Sequence, residues 1–155
     1  MRSRQTAFVL ATWFGCGYSP VAPGTVGSIA ALVVAWVAIT TTGIPPWVFG
    51  PAALLLFPLA AWSAGKVEQS LGNEDPQIVV IDEVVGQWLV LAPIVASNWQ
   101  HWLWALILFR LFDIAKPFGI RKLEQISGGN GVVADDAAAG ACAMIVMLGI
   151  RWLLP

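Results

Sequence analysis

The sequence predicts an all-α fold, a polytopic membrane helical bundle of about five short transmembrane helices preceded by an N-terminal interfacial or re-entrant segment. Three observations carry that expectation. The 155 residues are 58% hydrophobic and 11% charged, where a soluble domain carries roughly 25% charged residues. No Asp, Glu, Lys or Arg falls between Arg4 and Lys66, between Glu83 and Arg110, or between Asp136 and Arg151. All nine acidic residues lie between Glu68 and Asp136, so charge is confined to short segments outside the lipid or at its edge. The length suits one integral-membrane domain over residues 1–155.

Residues 6–14, "TAFVLATWF", are too few to cross a hydrocarbon core of ~30 Å, which takes ~20 helical residues. They are expected to lie at the interface or to re-enter it. Arg2 and Arg4 precede this stretch, but it runs into "GCGYSPVAPGTVGS" with no A-x-A-like site, so a cleaved signal peptide is not expected. Residues 25–42 are long enough for a first crossing, and "GIPP" supplies a turn. Residues 47–65 cross back, with Pro51 and Pro58 tolerated as transmembrane prolines. A polar connector over 66–81 contains the turn signal "NEDP". Residues 82–97 and 102–115, joined by "SNWQH", make two helices of only about 21–24 Å at 1.5 Å per residue. A second connector with the glycine-rich "ISGGNGVV" precedes a last helix over 136–152.

Basic residues gather on the cytoplasmic side of membrane proteins. Five crossings from a cytoplasmic N-terminus put Arg2, Arg4, Lys66, Arg110, Lys116, Arg121 and Lys122 on or near that side, and Arg151 opposite. The same topology brings "GCGYSPVAPGTVGS", "IDE", "FRLFDIAKPFGIRK" and "ADD" to one face of the membrane. Four polar patches distant in sequence but shared by one interface are what a functional site requires.

Two acidic pairs stand out. Gly86 follows Glu83 by three residues, and Ala139 and Gly140 follow Asp136 by three and four, so each acid shares a helix face with a small residue that lets another backbone or a ligand approach. Adjacent carboxylates with such a gap suit a hard divalent cation, since Mg²⁺ takes oxygen ligands and keeps water and substrate phosphate in its shell. Asp82, Glu83, Asp113, Asp135 and Asp136 are the candidate ligands. The competing account is acids at helix N-termini complementing the macrodipole. In "FRLFDIAKP", Arg110, Asp113 and Lys116 recur every three residues and Pro117 ends the helix. Two cations beside a carboxylate can hold a phosphate, and Arg121 adds positive charge just beyond. An internally paired helix end is the plainer alternative, but it leaves Asp113 in an apolar stretch unexplained. Gly24, Thr25 and Ser28 sit where a turn passes into the first crossing helix. A helix N-terminus there would offer free N–H groups to an anion, or the segment serves only as a turn.

Several absences narrow the chemistry. His101 is the single histidine and falls on the opposite face, which leaves no phosphohistidine candidate. Cys16 and Cys142 lack metal-site spacing and the C-x5-R arrangement. There is no G-x-x-x-x-G-K-[ST], hence no nucleotide P-loop, and a net charge of −1 gives no reason to expect nucleic acid.

On "FGCGYSPVAPGTVGSIAA", "VVIDEVVGQW", "FRLFDIAKPFGIRK" and "GGNGVVADDAAAG", the sequence resembles the phosphatidylglycerophosphatase A family, integral membrane enzymes that dephosphorylate phosphatidylglycerophosphate to phosphatidylglycerol in bacteria. The match runs from about residue 14 to 140. It implies Mg²⁺ dependence, a phospholipid substrate and a cytoplasm-facing site on the inner membrane. The matching positions are Asp82, Glu83, Asp113, Lys116, Asp135, Asp136 and the Pro-Gly-Thr loop at 23–25. One departure is "KPFGI", where the family usually has "KPxPI". Gly119 is therefore expected to loosen the turn after Lys116.

The expected function is hydrolysis of a glycerophospholipid phosphomonoester. Asp82, Glu83, Asp113 and Asp136 would be catalytic, and Arg110, Lys116, Arg121, Gly24, Thr25 and Ser28 would bind substrate. The acyl chains would stay in the bilayer while the head reaches a pocket between the helices over 82–97, 102–115 and 136–152. A small cation- or proton-coupled transporter and a non-catalytic lipid-binding scaffold are the rivals, and the oligomeric state stays open.

Overall fold

The computed structural model describes residues 2–153, and among them there is no strand. Six α-helices follow one another: α1 (Arg2–Ala11), α2 (Pro23–Thr42), α3 (Phe49–Leu71), α4 (Ile81–Leu91), α5 (Trp99–Ala115) and α6 (Gly129–Leu153), with 3₁₀ turns at Cys16–Tyr18, Pro46–Val48 and Ile120–Gln125. The side chain of Arg2, expected on the basic face, lies outside the described residues.

Helix boundaries follow local chemistry more closely than the apolar runs do. Pro23 is the first residue of α2, a position where its missing N–H costs nothing. The helix therefore starts before Thr25, and neither Thr25 nor Ser28 caps it. Ala22 is the cap residue, and the Ser28 hydroxyl donates to the Gly24 carbonyl at 3.0 Å. α3 continues through Lys66 to Leu71, with Pro58 inside it, and stops at Gly72, whose φ of 67° is left-handed. Residues 66–71 are thus helix rather than connector. α6 starts at Gly129, seven residues before the expected 136. A Cβ on Gly129 would stand 2.0 Å from the Ala61 carbonyl oxygen, so this glycine lets α6 lie against the α3 backbone, as small residues do between membrane helices.

Among the described residues, three segments are long and apolar enough to cross a membrane: Pro23–Thr42, Pro46–Leu71 and Gly129–Leu153. α4 with 11 residues and α5 with 17 measure about 16 and 25 Å at 1.5 Å per residue, short of the ~30 Å core. The expected bundle of about five membrane helices is thus made of three long helices and a hairpin of two shorter ones.

α4 is the centre of the bundle, packed against α2, α3, α5 and α6, and most of its residues are buried. That explains a sequence apolar on nearly every face. One core cluster joins α1, α3 and α4 through Ala11, Ala60, Ala64, Val67, Val80 and Val84. Another joins α4, α5 and α6 through Leu91, Phe109, Ala143 and Met147. The turn between α4 and α5 satisfies its polar groups internally, as a low-dielectric setting demands. The Val95 N–H donates to His101 Nδ1 at 2.9 Å, the Trp102 indole N–H to the Ala96 carbonyl at 3.0 Å, and Arg151 to the Pro93 carbonyl at 3.2 Å. His101, fully buried, is part of this scaffold. At the other end, α1 packs on α3, and the Val80 N–H donates to the Ala11 carbonyl at 2.8 Å, fixing the chain as it enters α4.

Candidate functional site

The site is built where α4 and α6 cross. A Cβ on Gly140 would lie 2.4 Å from the Gly86 carbonyl oxygen, and one on Gly86 would lie 2.6 Å from the Asp136 carbonyl oxygen and 2.2 Å from the Phe109 ring. No side chain larger than hydrogen fits at either position, so the two backbones touch. Asp82 and Glu83 occupy the first turn of α4, one turn before Gly86, and Asp136 lies one turn before Gly140. The crossing therefore brings the two acidic pairs together. Asp82, Glu83 and Asp136 each present an oxygen within 4.8 Å of the others. Asp82 and Asp136 are only 6% and 4% exposed. Asp82 accepts the Glu83 N–H at 3.0 Å, which fixes its carboxylate at the helix start.

The start of α2 closes one side. A Cβ on Gly24 would fall 2.1 Å from Glu83 Oε1 and 3.2 Å from Arg110 Nη1, so any larger residue there would have to displace that carboxylate. The end of α5 closes the other. Arg110 Nη1 is 2.8 Å from Asp113 Oδ2 and 3.8 Å from Glu83 Oε1. Lys116, in a left-handed conformation with φ 44° just after α5, pairs with Asp135 and, at 2.6 Å, with Glu124. Burial works against the Lys116 ammonium, but the Asp135 and Glu124 carboxylates outweigh it and hold its pKa above the ordinary lysine value.

These groups line one cavity of about 420 Å³, a size ordinary for a small-molecule site. Of the residues singled out in the sequence, Gly24, Asp82, Glu83, Arg110, Asp113, Lys116, Asp135 and Asp136 line it, while Thr25, Ser28 and Arg121 do not. The buried Ser28 hydroxyl is spent on the α2 backbone, and Arg121 is exposed on the 3₁₀ turn beyond Lys116. The five carboxylates also divide. Asp82, Glu83 and Asp136 form the close group, whereas Asp113 and Asp135 are engaged by Arg110 and Lys116.

The sequence offered less warning of Asp75 and Gln77, which line the cavity from the loop between α3 and α4, or of Glu124 as the second partner of Lys116. "NEDP" reads only as a turn, and a loop has no periodicity from which to infer a facing side chain. A hydrogen bond from the Asp75 N–H to Glu68 Oε1 at 3.1 Å steadies this loop.

Chemically, the cavity combines two capacities. Three clustered carboxylates, all oxygen donors, fit a hard divalent cation such as Mg²⁺. Glu83 Oε2 is buried without a hydrogen-bond partner, as are Asp135 Oδ1 and the Nε of Arg110. Buried polar atoms are normally satisfied, so a surplus of both acceptors and donors around one cavity suits a cation and an anion bound side by side.

The comparisons with known proteins agree in kind. The family model described as phosphatidylglycerophosphatase A matches residues 9–151. A Bacteroides thetaiotaomicron protein provisionally named a phosphatidylinositol-3-phosphatase is 40% identical, covering 94% of this chain and 94% of its own. Proteins named phosphatidylglycerophosphatase A from Haemophilus influenzae and Escherichia coli are 38% and 31% identical; each match covers 94% of this chain, with 90% and 85% of theirs. No solved structure matches the chain.

Proposed function

The chain belongs to the phosphatidylglycerophosphatase A family, and from that membership we propose that it is a Mg²⁺-dependent phosphomonoesterase converting phosphatidylglycerophosphate to phosphatidylglycerol at the cytoplasmic face of the inner membrane. One observation carries the mechanism: Asp82, Glu83 and Asp136 converge within 4.8 Å in a cavity that Arg110 and Lys116 also line. Asp82, Glu83 and Asp136 would hold the ion, with Asp113 and Asp135 beside them. When bound, Mg²⁺ supplies Lewis-acid charge that polarises a phosphoryl oxygen and acidifies a water.

The chain's own residues supply the rest. Arg110 and Lys116 neutralise the phosphate oxygens as charge shifts in the transition state. The Gly24 N–H at the start of α2, which lines the cavity, adds an anion-favouring dipole. Asp113 holds the Arg110 guanidinium and Glu124 steadies Lys116, so both cations arrive oriented. In the net reaction one water is consumed, the bond between phosphorus and the glycerol oxygen breaks, and inorganic phosphate and the lipid alcohol leave.

The test is phosphate release by purified protein given phosphatidylglycerophosphate, with EDTA and with Mg²⁺ restored. Release should stop with EDTA and return with Mg²⁺. Asp82→Asn and Asp136→Asn should each lower kcat by about 100-fold or more, the scale of removing a transition-state charge contact. Full activity in a folded Asp82→Asn or Asp136→Asn protein would overturn the assignment. The 40% identical relative named for phosphatidylinositol 3-phosphate supplies a second reading, which would take over if that lipid is the better substrate in the same assay.

A further inference from the structure

α2 and α5 run antiparallel on either side of Glu83 and touch each other sparsely, unlike α4 with α6 or α5 with α6. Two cavities lie along their seam. The polar one takes Gly24 from α2 and Arg110 from α5. The other, also about 420 Å³, is lined by Leu32, Val33 and Trp36 of α2 and by Ala96, Ser97, Trp99 and Trp102 around the start of α5. Leu32 is eight residues beyond Gly24, and Trp102 is eight before Arg110. The offset is about 12 Å on both helices at 1.5 Å per residue. Equal offsets on antiparallel helices place the two cavities along the same seam, one polar at Arg110 and the other apolar among tryptophans.

Thr25, Ile29, Leu32 and Trp36 recur at helical spacing, as do Trp102, Leu106 and Arg110, so each set forms one wall. The length is on the order of one leaflet's hydrocarbon, half of a ~30 Å core. The polar cavity itself is lined by α4, α5 and α6 as expected, and one turn beyond the acids Gly86 packs tightly against Gly140 and Phe109.

We propose that the groove between α2 and α5 seats an acyl chain of the phospholipid substrate, delivering its phosphate to Arg110 while the chain remains in the bilayer. This rests on the lipid phosphomonoesterase reading. A chain already surrounded by hydrocarbon gains little from a second apolar setting, so the groove acts by orienting the head, an effect read in kcat/KM.

Two measurements decide it. Val33→Trp fills the apolar end without touching the polar cavity. It should lower kcat/KM for a long-chain substrate about tenfold or more, while a short-chain, water-soluble analogue is hydrolysed as by the wild type. In parallel, a phospholipid carrying a photoactivatable group near the end of its acyl chain should label residues 32–36 and 99–102 more densely than Leu54 and Leu55, which are 63% and 80% exposed on α3. Unchanged long-chain hydrolysis in folded Val33→Trp, labelling no denser than at Leu54 and Leu55, or groove residues cross-linked to a second protein would each overturn the proposal. Wild-type protein that hydrolyses neither substrate would sink the activity instead, and the labelling pattern, which needs no turnover, would still decide the groove.

Discussion

Gly140→Ala tests how the α4–α6 crossing sets the site. The added Cβ would meet the Gly86 carbonyl oxygen at 2.4 Å, Gly86 Cα at 2.8 Å and Gly86 C at 2.9 Å, all backbone, whereas ordinary contact begins at 3.4 Å. Backbone cannot rotate aside as a side chain can, so the helices must part by about 1 Å, an overpacking strain of roughly 1–3 kcal/mol. The better helix propensity of alanine returns up to about 1 kcal/mol, so the variant should fold with a modestly lower Tm. Asp136 sits one turn away and moves with α6, while Asp82 and Glu83 stay with α4. A misplacement of about 1 Å costs on the order of 100-fold in rate. The assay is Mg²⁺-supported phosphate release beside a thermal melt, with Gly149→Ala as control. Gly149 is on the same helix with nothing within 4 Å of its Cβ position, so that variant should gain stability and keep its activity. Gly140→Ala with wild-type turnover would refute the claim that this crossing positions the carboxylates.

Gln87 is fully buried on α4, and neither amide atom has a hydrogen-bond partner. An unsatisfied buried polar group costs about 1–3 kcal/mol, so Gln87→Met should raise Tm without lowering activity, and a clear loss of stability would show that the amide is satisfied. Lys116 has its pKa raised; stabilisation from its ion pairs is therefore complete below the unfolded lysine pKa of about 10.4 and is lost only as pH climbs through the higher folded value. The Tm difference between wild type and Lys116→Met, measured without metal, should accordingly hold steady from about pH 7 to about pH 10, and a difference that decays near pH 8 would contradict the pairing.

The sequence made the site legible because charge is expensive in an apolar chain. Asp82, Glu83, Arg110, Asp113, Lys116, Asp135 and Asp136 are conspicuous by position alone, and a topology with every basic cluster at one end brings them together. Glycines were harder to interpret. Gly86 and Gly140 could be read as gaps beside acids, because helical spacing put them on the same faces. Gly129 suggested a loop, since nothing local reveals that α3 will lie against it. Helix bounds are less legible for a related reason. A buried helix such as α4 is as apolar as a lipid-facing one, so hydropathy cannot distinguish a short central helix from a crossing. Glu124 and Gln77 are not legible in the sequence because they reach the site from irregular segments whose facing depends on the rest of the fold.

Consensus engineering meets an obstacle at the turn after Lys116. Gly119 has φ 82°, following Phe118 at φ 58°, while the pyrrolidine ring holds φ near −65°. A proline grafted onto position 119 would rebuild the bend that aims Lys116 at Asp135, so a substitution chosen to rigidify the chain would instead loosen that ion pair. Homology-guided libraries for this protein should leave residue 119 out.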